Sequence, residues 1–266
     1  MAIKLKSPAD IAILREGGKR HAFILRKLAK AVAPGVSTKD LDDMAAALIA
    51  AGKKGAGKKG YAADSAAFLG YKPYGAKRPY PASLCVSVND AVVHGIPNEE
   101  PYILKEGDIV SLDLGLVHKG LITDMAVTVP VGKIDPGAKK LLKATKIALE
   151  KGVAAAGPDK TTGHIGEAVE AYIAPMGYGI VEELAGHGVG YSVHEDPYVP
   201  NYGVAGQGTP LLPGMVIAIE PIINEGTEKI VLDKDGYTYR TKDGKRSAHF
   251  EVTVLITEKG CEILTK

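Results

Sequence analysis

One run of signals occurs twice in this chain, and that recurrence limits it more than any other feature. Ser7-Pro8-Ala9-Asp10 combines an N-cap side chain, a proline suited to the first helical position and an acid in the first turn. Ile11, Leu14, Ile24, Leu25 and Leu28 then recur at spacings compatible with a helix, until Pro34-Gly35 stops it. A second helix opens at Ser37-Thr38, carries Leu41, Ala45, Leu48 and Ile49 on one face, and ends near Gly52. The same order returns 124 positions on: Pro158 answers Pro34, Thr162 answers Thr38, and Ile165, Val169, Tyr172 and Ile173 answer the four apolar positions. A helix rich in Leu, Ala and Lys over about 136–155 precedes it, as one precedes Pro34. The match is either a chance likeness of two amphipathic helices or the mark of two equivalent halves, each a helix pair followed by strands.

Strand-like segments follow in each half. They are 83–88, 108–114 and 121–129 in the first, and 180–183, 215–219 and 249–256 in the second; all are rich in Val, Ile or Leu, and most are bounded by Gly, Pro or Asp. Helix pairs combined with hairpin-like strands predict an α+β fold, a curved antiparallel sheet backed by helices. One domain over 1–266 with halves at about 7–130 and 136–260 is the expected organisation, since a single α/β domain of this length is ordinary. Segments 53–60 and 70–81 read as surface excursions. Although 52–58 nearly spells a phosphate-binding loop, Lys59 stands where Ser or Thr must hold magnesium, and a helix precedes it where a strand is required.

Composition narrows the class. A net charge of +2 argues against a dedicated nucleic-acid binder. Two cysteines, Cys85 and Cys261, are too few for a disulfide scaffold, and neither a signal-peptide core nor a run long enough to span a bilayer is present. A cytoplasmic protein without membrane contact is expected.

Val110, Leu112 and Leu114 alternate on one face of a strand, which puts Ser111 and Asp113 on the other; Asp124, Ala126 and Thr128 share a face of the next strand. A turn centred on His118-Lys119 would set Asp113 opposite Asp124. Facing like charges are destabilising. Either the register is slipped and both acids face solvent, or the pair shares a proton or binds a cation. His187 lies in the glycine-rich run Gly186-His187-Gly188-Val189-Gly190, Glu220 ends an apolar strand before Pro221, and Glu251 lies opposite the apolar face of Phe250, Val252 and Val254. Four carboxylates and one imidazole suit two divalent ions such as Mn, Fe, Co or Zn.

These residues fall in segments that resemble the type I methionine aminopeptidases, over nearly the whole chain: Ser87–Pro97 around His94, Ser111-Leu-Asp113, Thr123-Asp124, Gly186-His187-Gly, His194–Pro197, Ile219-Glu220-Pro221 and Phe250-Glu251. The resemblance implies the pita-bread fold with pseudo-twofold halves and two helix pairs outside the sheet. It also implies a metallo-aminopeptidase that removes the initiator methionine of nascent proteins by attack of metal-activated water, preferring a small second residue. In that likeness Asp113 and Asp124 bind one metal ion, His187, Asp124, Glu220 and Glu251 bind the other, Glu220 receives the water's proton, and His94 and His194 contact substrate and steady the tetrahedral intermediate. Cys85, Tyr80 and Tyr237 match the methionine pocket, with Tyr237 where the family usually has Trp and Val193 where it usually has Phe. Prolidases share the ligands but usually carry a further domain; type II enzymes carry a long insertion between ligands that here, at His187 and Glu220, are only 33 positions apart. A non-catalytic binding relative is the rival from another class. The nascent amino terminus is the expected partner, the expected state is a monomer, and Lys4, Lys6 and the basic segment 53–59 are candidates for a transient ribosome contact.

Overall fold

In the computed structural model, residues 3–52 and 63–266 are described. The segment 53–60, read above as a surface excursion and as a basic patch, therefore lies outside the described residues.

The repeat is present as two helix pairs: α1 (Pro8–Ala31) with α2 (Thr38–Ala51), and α3 (Pro136–Ala155) with α4 (Thr162–Ile173). Ser7 and Asp10 cap α1 reciprocally, side chain to backbone, and Ser37 and Asp40 cap α2 in the same way. The paired helices end and begin 124 positions apart, at Ala31 and Ala155 and at Thr38 and Thr162. Ser37 bridges to Ile103 and Thr161 to Pro210, so the chain entering each following strand is pinned at the same place.

Between the helix pairs lie β1 (Ser65–Ala66), β2 (Cys85–Val88), β3 (Ala91–Val93), β4 (Ile109–His118) and β5 (Leu121–Pro130). After them come β6 (Gly179–Ile180), β7 (Gly186–Gly188), β8 (Glu195–Val199), β9 (Val216–Ile219), β10 (Ile222–Asn224), β11 (Ile230–Leu232), β12 (Tyr239–Thr241), β13 (Ser247–His249), β14 (Glu251–Thr257) and β15 (Gly260–Ile263). The large sheet is antiparallel and runs β1-β4-β5-β14-β9-β7-β8, with β2 beside β4 and β15 beside β14. The two halves meet where β5 pairs with β14. Two three-stranded sheets, β13-β10-β6 and β11-β12-β3, complete the fold.

Strand alternation separates the helix layer from the site. Leu112, Leu114 and Leu116 pack with Leu25 and Leu28 of α1 and Leu41 and Ile49 of α2. In the second half Ile217, Ile219, Val252 and Val254 pack with Leu149 of α3 and Ile165 of α4. Each such side chain contributes roughly 1.5–3 kcal/mol of burial. The intervening residues Asp113, Asp124 and Glu251 face away from the helices, yet they too are buried.

Three expectations are corrected. The β4–β5 turn is Lys119-Gly120, with φ of 50° and 85°, and not His118-Lys119. A two-residue hairpin loop wants positive φ at both central positions, and glycine supplies the second without strain. Asp113 therefore lies opposite Ala126 and Asp124 opposite Gly115; the acids stay on one face because the register moves by two. The strand read over 180–183 is only Gly179–Ile180. The one read over 249–256 is broken at Phe250 into β13 and β14, where the pair formed with β9 and β10 passes from the large sheet to a small one. The same register runs through that break, His249 opposite Ile222 and Val252 opposite Ile219, which sets Glu220 across from Glu251.

Candidate functional site

Asp113 and Asp124 come from the middle of the β4–β5 hairpin, Glu220 from the turn after β9, Glu251 from the first position of β14, and His187 from the middle of β7. Glycines flank His187 because the neighbouring backbone leaves no room for a side chain: a Cβ on Gly186 would meet the Ala218 carbonyl oxygen at 2.3 Å, and one on Gly188 the Asp196 carbonyl oxygen at 2.2 Å. His187 Nδ1 lies 2.9 Å from the Gly188 carbonyl, a contact that makes Nδ1 the protonated nitrogen and aims Nε2 at the carboxylates. One ligand atom each from Asp124, His187 and Glu251 lies within 4.8 Å of the others, and His187 Nε2 is 3.7 Å from Glu220 Oε1.

Burial makes this cluster unstable as a set of bare charges. It pushes Asp113 up to about 7, and raises Asp124 and Glu251 well above the carboxylate range, with the neighbouring acids adding to the shift of each. Asp113 Oδ1 is buried without a hydrogen-bond partner. Among the described residues, only His187 and His249 form ion pairs with these acids; no Lys or Arg does. Four carboxylates, an orphaned carboxylate oxygen and imidazole nitrogen are a donor set that fits divalent cations, the usual remedy for buried acids without paired bases.

The cavity over this cluster has a volume of about 140 Å³. The five candidate ligands, His94, His194, Tyr80, Cys85 and Tyr237 all line it, and Val193 packs behind them. His94 has a left-handed backbone, φ 58°, a strained conformation for a side chain other than glycine. Burial lowers its pKa to about 4. Desolvation lowers His194 as well, and its Nδ1 lies 2.9 Å from the Tyr71 hydroxyl. The His194 ring stands edge-on to His187, with centroids 4.4 Å apart.

An apolar wall closes one side. Tyr80 and Tyr237 meet edge to face at 5.2 Å and cluster with Phe68, Cys85 and Val193. The Tyr80 hydroxyl donates to the Gly95 carbonyl at 2.8 Å, which fixes its ring beside the His94 turn. Burial pushes the Cys85 thiol well up, so it serves as a neutral wall and not as a thiolate.

The loop 70–81 runs over the surface as expected, and it also turns Tyr71 and Tyr80 into the cavity. Lys6 is corrected as a phosphate contact: its side chain is buried, with Nζ 2.6 Å from Glu195. Sequence reasoning missed Phe68 and Tyr71, which sit in irregular chain and carry no periodic signal, and it missed His249. The alternation that placed Glu251 also puts His249 two positions before it on the same strand-like run, which was the available signal.

A family model described as metallopeptidase family M24 matches residues 12–258. The chain is similar to a methionine aminopeptidase of Aquifex aeolicus, 45% identical with all of both chains covered, and to methionine aminopeptidase 1 of Bacillus subtilis, 42% identical with 98% of each covered. Its structure is similar to that of the methionine aminopeptidase from Rickettsia prowazekii, with a TM-score of 0.90, 34% identity and full coverage of both chains.

Proposed function

We propose a reaction and its residues from one premise: the chain belongs to metallopeptidase family M24 and is a metallo-aminopeptidase with the pita-bread fold, akin to full-length methionine aminopeptidases. The substrate is the amino-terminal methionine of a nascent protein, and the site of action is the cytoplasm. The observation that carries this reading is the convergence of four carboxylates and His187 at the floor of one cavity whose side wall is apolar.

Asp113, Asp124 and Glu251 would hold one divalent ion and His187, Asp124, Glu220 and Glu251 the other, with Asp124 and Glu251 shared. When bound, the ions supply the positive charge that acidifies water and polarises the scissile carbonyl. Glu220, at the cavity edge, takes the proton of the attacking water on a carboxylate oxygen and returns it to the departing amine nitrogen. His94 and His194 are both neutral near pH 7, because their pKa values are lowered. With the Tyr71 hydroxyl donating to Nδ1 of His194, the ring proton sits on Nε2, free to donate to the developing oxyanion. Phe68, Tyr80, Cys85, Val193 and Tyr237 form an uncharged pocket for an unbranched thioether side chain. A pocket of about 140 Å³ leaves little room beyond the first side chain, which favours a small second residue.

The test compares peptides on chelated protein resupplied with Mn, Fe, Co or Zn. Release of methionine from Met-Ala-Ser, with Leu-Ala-Ser and Met-Lys-Ser left largely intact, supports the reading. Equal hydrolysis of all three would overturn the selectivity, and no hydrolysis of any would overturn the substrate.

A further inference from the structure

The geometry points to His249 as a metal ligand in its own right, a second imidazole facing the cluster from the side opposite His187. This inference rests on the metal-dependent reading above and extends its donor set from five residues to six.

Glu220 and Glu251 stand across from each other, and each turns one oxygen to each histidine. The two Oε1 atoms lie 3.7 and 4.0 Å from His187 Nε2. The two Oε2 atoms lie 3.1 and 4.0 Å from His249 Nε2. Donors each about 2.1 Å from one ion are ~3.0 Å apart at a right angle, ~3.4 Å at the tetrahedral angle and ~4.2 Å when opposite. All four separations fall in that range, so the carboxylate pair is arranged for an imidazole on both sides, not on one.

Among the described residues, the surroundings of His249 offer its ring only close carboxylate contacts. The residue is 2% exposed, and neither ring nitrogen makes an aligned hydrogen bond. Its approach to Glu220 is therefore a close contact without hydrogen-bond geometry, and a buried imidazole left so is costly. Its backbone is held in place: the Thr128 hydroxyl lies 2.8 Å from both the His249 amide nitrogen and its carbonyl oxygen, and 2.8 Å from the Ser111 hydroxyl. Asp113 lines the same cavity and has its own unpartnered, buried Oδ1. The ion on this side would thus meet His249 Nε2 and Glu251 Oε2, with Asp113 and Asp124 as its other carboxylates. His249 Nδ1 lacks the carbonyl partner that His187 Nδ1 has, so His249 is the less rigidly held imidazole and its ion the more weakly bound.

The test uses cobalt(II) alone on the chelated full chain, with H249Q and H249A beside the wild type. Two cobalt equivalents should bind to the wild type. In both variants the first should be unchanged, which also reports an intact fold, and the second should weaken by about 100-fold. Proton spectra of the fully loaded wild type should show two exchangeable imidazole N–H resonances shifted by cobalt, and those of H249Q only one. Wild-type affinity for both equivalents in H249Q, or a single shifted imidazole in the wild type, would overturn the inference while leaving the peptidase reading intact. A wild type that takes up no cobalt would overturn both.

Discussion

In the first half, β4 and β5 are joined by the two-residue turn Lys119-Gly120, and the acids they carry, Asp113 and Asp124, sit diagonally on one face. In the second half, the corresponding strands β9 and β14 are separated by residues 220–250, and Glu220 stands across from Glu251. The correspondence is close: Gly107 and Gly214 both turn with positive φ before the first strand, and the same 107-position step carries Asp113 to Glu220. The central strands also match through their own contact, where Asp124 N–H donates to Thr253 Oγ1 and Glu251 pairs with Ala126. What differs is what the connection adds. A tight turn adds nothing, whereas the long excursion carries Tyr237 to the pocket wall and His249 to the cluster, and β7 brings His187. The repeated framework thus supplies four acids symmetrically, and the second half breaks the symmetry with the imidazoles.

If that comparison holds, the central acids matter equally and more than the outer ones. Asp124→Ala and Glu251→Ala should each lose both metal ions and about 10³-fold or more in kcat/KM; metal content by mass spectrometry alongside the rate checks this. One variant keeping both ions would break the equivalence of β5 and β14. Asp113→Asn tests the outer acid of the first half in the metal-free protein. A carboxyl raised from 3.8 to about 7 is protonated in the native state where the unfolded chain has lost its proton, so it costs stability increasingly from pH 4 to 7. Relative to wild type the variant should be little changed near pH 4 and more stable at pH 7, by up to about 4 kcal/mol, because every tenfold change in proton affinity is worth about 1.4 kcal/mol. Chemical denaturation across that range, with the gap absent or reversed, would contradict it. Removal of Tyr71's hydroxyl, by Tyr71→Phe, should lower kcat several-fold more than it changes KM, about 10-fold in all, because it frees the His194 tautomer. The smallest effect compares the helix caps: Ser37→Ala should cost about 1 kcal/mol, and Thr161→Ala less, since Ser37 accepts from the Asp40 amide whereas the Thr161 hydroxyl turns to His164 Nδ1. Thermal melts of the two variants measure the difference.

Much of this was legible in the residues. Ser7, Ser37 and the two prolines mark the helix pairs because capping is local chemistry, and the alternation in 108–129 fixes which residues share a face. The hairpin register was misread by two, since His118-Lys119 and Lys119-Gly120 both centre plausible turns and only the positive φ at both central positions selects the second. The break at Phe250 was invisible because the run 249–256 is continuous in hydropathy, and the change of sheet that interrupts it is a tertiary event. Phe68 and Tyr71 reach the cavity from a loop whose path depends on packing against β4, at Gly115, where a Cβ would meet the Phe68 ring at 2.7 Å.

The most direct test of the account is a cobalt titration of the chelated chain while methionine release from Met-Ala-Ser is followed in the same samples. The account predicts no release without metal, onset of release with cobalt uptake, and saturation of both by two equivalents per chain. Release at full rate from metal-free protein, or two bound equivalents with no release, would contradict it.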